Sequence, residues 1–108
     1  MGEDDTDKDR FPPLAPTGET PAPADPAFVK ACLAKLAVIN PLWNVERRAQ
    51  SLTQSPQWGL VFRVDFTLGY EFDPRFVNRF VCWKAPDGKI GNVFAIGQQM
   101  PALGGGRG

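Results

Sequence analysis

The sequence predicts an α+β domain in which one N-terminal helix packs on a three- or four-stranded antiparallel meander. Three observations predict it: an Asp25-Pro26 helix start ahead of an apolar stripe, an unbroken apolar alternation over residues 58–72, and a Pro-Asp-Gly turn between two further apolar runs.

The helix start has a mechanism. An aspartate at the cap accepts from first-turn N–H groups that have no partner inside the helix, and a proline at the first helical position gives up an N–H that had none. Val29, Cys32, Leu33, Leu36 and Ile39 then recur at helical spacing, with Phe28 beside them and Lys30 and Lys35 off the stripe. The helix should stop at Asn40-Pro41, because proline pushes the residue before it out of the α region.

Residues 41–53 fit two elements. Leu42, Val45, Ala49 and Leu52 suit a second helix capped by Asn40, whereas Trp43, Val45, Arg47 and Ala49 alternate as an edge strand does. The strand is the better reading, because Ser55-Pro56 follows as a turn that folds this segment back on the next run. In that next run every even position from 58 to 72 is apolar (Trp58, Leu60, Phe62, Val64, Phe66, Leu68, Tyr70, Phe72), which describes one long strand with one buried face.

Asp73-Pro74 turns the chain. Residues 76–84 and 89–97 then form two more strands around Ala85-Pro86-Asp87-Gly88, where proline presets a type I turn and glycine supplies the left-handed residue. If Lys84 faces Ile90, then Phe80 meets Phe94, Cys82 meets Asn92 and Val81 meets Val93. Phe80, Cys82, Ile90, Phe94 and Ile96 are assigned to the helix side because they match the helix stripe in bulk. This order, a helix followed by a meander, resembles the cystatin layout, a likeness of element order without a shared motif.

Outside that domain, taken as residues 25–100, the composition changes. Residues 1–24 read as a disordered acidic, Pro-rich arm and residues 101–108 as a flexible Gly-rich tail. The formal net charge of zero hides an asymmetry: residues 1–25 carry −5 and the remainder +5. The simplest role for the arm is a solubilising tail or tether. The sharper one is an arm that folds back over a basic surface and competes with an acidic partner.

Several function classes drop out. The chain has no histidine and two cysteines, Cys32 and Cys82, too few ligands for a tetrahedral zinc site, so no metal or cofactor is expected. The two cysteines are the candidate disulfide, with buried thiols as the alternative; pairing favours an oxidising compartment, the periplasm or cell envelope, over the cytoplasm. No apolar run is long enough to span a membrane. Catalysis is not expected: Cys32 lies mid-stripe with no base beside it, and Asp65 and Glu71 are too far apart along a strand to act as an acid and base pair.

What is left is a surface. The sheet face turned away from the helix should carry Val61, Arg63, Arg79, Val81 and Trp83, more apolar than a solvated face ought to be and rich in the residue types that dominate interfaces. The expectation is a noncatalytic protein-interaction module of the cell envelope that binds a protein or peptide, or a second copy of itself, through that face or a sheet edge. The alternatives are a cytosolic regulatory or single-stranded nucleic-acid-binding domain and, with the aromatic run lining a pocket, a binder of a small apolar ligand.

Overall fold

A computed structural model describes residues 11–41, 47–66, 77–98 and 103. One helix, α1 (Pro26–Ile39), lies against a five-stranded antiparallel sheet of β1 (Thr20–Pro21), β2 (Arg47–Ser55), β3 (Gly59–Phe66), β4 (Val77–Lys84) and β5 (Ile90–Gln98). Spatial order follows chain order. Five strands are one more than the upper end of the expected three or four. The fifth is the two-residue β1, which the arm contributes by pairing Thr20 with Gln54 and Pro21 with Thr53.

The helix begins and ends where its punctuation places it. Asp25 Oδ1 accepts from the Phe28 N–H at 3.1 Å, Pro26 is the first helical residue, and Asn40 leaves in an extended conformation while its N–H donates to the Leu36 carbonyl at 2.8 Å. The buried line runs through Phe28, Cys32 and Leu36, with Val29 and Leu33 only partly covered. The expected stripe is therefore rotated: Ile39 is exposed, as is Val38 beside it. Cys32 decides this, because its bond to Cys82 on β4 fixes which side of the helix faces the sheet.

The segment with two readings forms a strand over 47–55, so the second helix that its spacing also fits does not form there; residues 42–46 lie outside the described set. The β4–β5 hairpin closes as its turn predicts. Ala85 N–H donates to the Lys89 carbonyl and Gly88 N–H to the Ala85 carbonyl, both at 2.8 Å, with Gly88 at φ 92°. The expected register of Lys84 with Ile90, Cys82 with Asn92, Val81 with Val93 and Phe80 with Phe94 is the one observed.

Two expectations about these strands need correction. Between the Arg79–Ala95 and Val77–Gln98 pairs, β5 takes three steps where β4 takes two. This bulge adds one residue and breaks the alternation beyond Ala95, and Ile96, expected in the core on the helix side, is 59% exposed. Ile90, paired at the turn end of the hairpin, is also exposed. The second correction concerns β3, expected to bury one face: residues 61–66 are buried without interruption, Asp65 included. Residues 67–72 of the expected long strand, with Glu71 and the Asp73-Pro74 turn after it, lie outside the described residues.

The core between helix and sheet joins Phe28, Cys32 and Leu36 to Phe62, Val64, Phe66, Phe80 and Cys82, with Phe94 stacked on Phe66 at a centroid distance of 5.4 Å. Each large side chain buried there contributes about 1.5–3 kcal/mol. The Cys32–Cys82 disulfide spans 50 positions with a Cα separation of 5.9 Å, and in the chain-entropy model such a loop stabilises by about 4 kcal/mol.

Candidate interaction surface

Odd-numbered positions 49–53 of β2, 61–65 of β3 and 79–83 of β4 face away from the helix, and the register sets them side by side. Thr53, Val61, Trp83 and Gly91 form one row, Ser51, Arg63, Val81 and Val93 the next, and Ala49, Asp65, Arg79 and Ala95 the third. All five residues predicted for a binding face are therefore brought together. Their exposure is not as predicted: Val61, Arg63, Arg79 and Val81 are each 0% exposed, and Trp83 is half-buried.

The cover is the chain's own arm. Pro12 is fully buried, and the carbonyls of Pro13 and Leu14 reach the two arginines. Arg63 donates to Pro13 O through Nε at 3.2 Å and Nη2 at 2.7 Å, and to the Glu19 carboxylate through Nη1 at 2.8 Å and Nη2 at 2.9 Å. Thr53 Oγ1 accepts from Nη1 at 3.3 Å and itself donates to Glu19. These five bonds match the five N–H donors of a guanidinium, which is how a cation with no exposed surface stays satisfied.

Arg79 is held differently. Its Nε and Nη2 grip both oxygens of Asp65, the residue directly across on β3, at 2.5 and 2.8 Å, and its Nη1 donates to Leu14 O at 3.0 Å. One arginine is thus neutralised from within the sheet and the other from outside it. The arm reaches Arg63 by a turn at Gly18, whose φ of 66° suits glycine, and then pairs along β2, with Ala22 N–H donating to Leu52 O at 3.3 Å.

Burial pushes the Glu19 carboxyl up. Hydrogen bonds from Arg63 and Thr53, the Arg63 charge and a backbone hydrogen bond from Thr17 outweigh that and hold it below its ordinary value.

At one end of the face the Trp83 ring packs against Gly91, where an added Cβ would lie 2.5 Å from it, and meets Trp58 edge-on at 5.7 Å. The absence of a side chain at 91 is what lets the indole pack there.

Among the described residues no three or more histidine, cysteine or carboxylate side chains gather as a metal site, and no helix is long and apolar enough to cross a membrane. Sequence reasoning did not single out Glu19 or the two arm carbonyls, and it weighed Asp65 only as a catalytic carboxylate and not as the partner of Arg79. Glu19 carried a readable signal as the lone acid between Asp9 and Asp25, set among prolines. No protein-family model, curated protein or solved structure matches this chain.

Proposed function

We propose that the chain is a noncatalytic protein-interaction module of a cell-envelope protein, and that it binds through the outer sheet face of Val61, Arg63, Arg79, Val81 and Trp83. The observation that carries this is Arg63, a fully buried cation on a sheet whose balancing carboxylate comes from a separate segment of chain. A guanidinium fork that reads one carboxylate and one main-chain carbonyl is a peptide-recognition device. The buried disulfide supports an oxidising compartment.

The noncatalytic reading is supported by Asp65, whose carboxylate is tied up by Arg79 on both oxygens. A nucleic-acid surface is less well matched: Trp83 packs on Gly91 and Trp58, and Arg63 already holds a carboxylate. An apolar-ligand pocket is opposed by Phe62 and Phe66, which belong to the packed core.

The test is crosslinking in envelope extract with the wild-type chain and with Arg63→Met, followed by reconstitution with the purified partner. A partner whose footprint covers Arg63, Arg79 and Trp83 and which Arg63→Met loses supports the reading. A partner that binds both chains equally, or elsewhere on the domain, removes it.

A further inference from the structure

The arm is held on the outer face by contacts that a peptide from another molecule can reproduce. We propose that residues 12–21 are an internal ligand of this face, standing in for a proline-containing peptide that turns back on itself and carries a carboxylate, and that binds Arg63 in their place. This rests on the outer face being the binding surface.

The division of labour between the two arginines is the first support. Four of the five hydrogen bonds from Arg63 go to the arm, two to Pro13 O and two to Glu19, and the sheet supplies only the Thr53 hydroxyl. The carboxylate directly beside it on the sheet, Asp65, is committed to Arg79. The body of the domain therefore presents a cation and leaves its counter-charge to whatever lies across the face.

The contacts are also generic in the way a ligand's are. They consist of two successive main-chain carbonyls, at 13 and 14, and one carboxylate at 19. Any peptide with that spacing and a turn where Gly18 stands offers the same groups, and prolines such as Pro12, Pro13 and Pro16 restrict the segment before it binds. Charge favours the exchange in the same sense, since residues after 25 carry +5 and an acidic segment is drawn to them.

The arm can leave without dismantling the domain. Helix α1 starts on its own cap at Asp25 and is fastened to β4 by Cys32–Cys82, so the arm's only continuation into the fold is the short stretch 22–24. What it uncovers is mixed: Arg63, Arg79, Asp65, Ser51 and Thr53 can take water in its place, while Val61 and Val81 beside them carry a cost of exposure that a replacement peptide removes. The arm is also an imperfect fit, since the buried Ser51 hydroxyl on this face has no hydrogen-bond partner under it.

The experiment is a titration of the ¹⁵N-labelled full chain with an unlabelled peptide of residues 11–22, and with the same peptide carrying Glu19→Gln. In excess, the first peptide should move the amides of the arm to unstructured positions while the Arg63 side-chain N–H signals stay at their bound positions. The Glu19→Gln chain, whose own arm is weakened, should bind the unmodified peptide about ten-fold more tightly or better than wild type, and the Gln peptide should bind about ten-fold more weakly.

If the arm is released in the Glu19→Gln chain but the peptide does not take its place, the internal-ligand proposal is overturned while the face stays available to a partner of other chemistry. If the arm stays docked in both chains until the whole domain unfolds, it is part of the core, and both this proposal and the binding-face reading fail.

Discussion

The two faces of this sheet are covered on different principles. On one side α1 lays Phe28, Cys32 and Leu36 on apolar side chains and is fastened by a disulfide. On the other an irregular segment lays carbonyls and a carboxylate on two arginines. An apolar cover is stable because its removal exposes hydrocarbon, a cost of roughly 25 cal/mol for each Å². A polar cover competes with water for the same hydrogen bonds, and a buried ion pair is a weak source of stability against a hydrophobic alternative of similar volume. The first cover is held by buried hydrocarbon and a covalent bond, the second by polar contacts to two arginines.

The sharpest way to break this contrast is to cut the covalent fastening. Replacing Cys32 and Cys82 together by alanine should lower unfolding stability by about 4 kcal/mol, read from the urea midpoint, with the helix side loosening first. Next is Arg79→Met, which strands the Asp65 carboxylate at 2% exposure and should cost at least about 3 kcal/mol, because that pair belongs to the sheet and not to the arm. A loss under 1 kcal/mol would show that the outer face is already wet.

Acid should act on the arm in a predictable direction. The Glu19 carboxyl is depressed in the folded chain, so its contribution is fully present above the ordinary glutamate value of about 4.3 and drains away as pH falls through the lower folded value. Glu19→Gln should mimic this at neutral pH, weakening arm docking by roughly 1.5–3 kcal/mol in amide exchange over residues 14–20 while the β3–β4 amides keep their protection. Gly18→Ala should weaken docking least, by roughly 1–2 kcal/mol, since alanine resists the left-handed turn there and nothing lies within 4 Å of the added carbon. Equal loss of protection on both faces in either variant would mean that the two covers act as one.

The helix boundaries, the β4–β5 turn and the register across it were legible because each is set by neighbours in sequence: a cap, a proline, a Pro-Asp-Gly turn. The five residues of the outer face were legible for the same reason, since alternation alone sorts them. What covers them was not. The Leu14–Arg79 bond joins residues 65 apart in sequence, and no periodicity reports a contact of that kind. The charge asymmetry pointed to an arm drawn to a basic body, but it could not single out Arg63 over the other cations. The bulge in β5 left one local mark, Gly97 inside the strand, but its place shows only as a mismatch between two strands, which no pattern within β5 alone reports.

The sequential strand order also sets a timetable. β2 and β3, and β4 and β5, are joined by short turns, and such local pairings form early; long-range closure is slower because more chain must be ordered before any contact rewards it. The arm is synthesised first, yet its site is complete only once Arg79 has been added and β4 has paired with β3. A newborn chain therefore carries its arm before the arm has anywhere to dock, and docking waits on the pairing of β3 with β4.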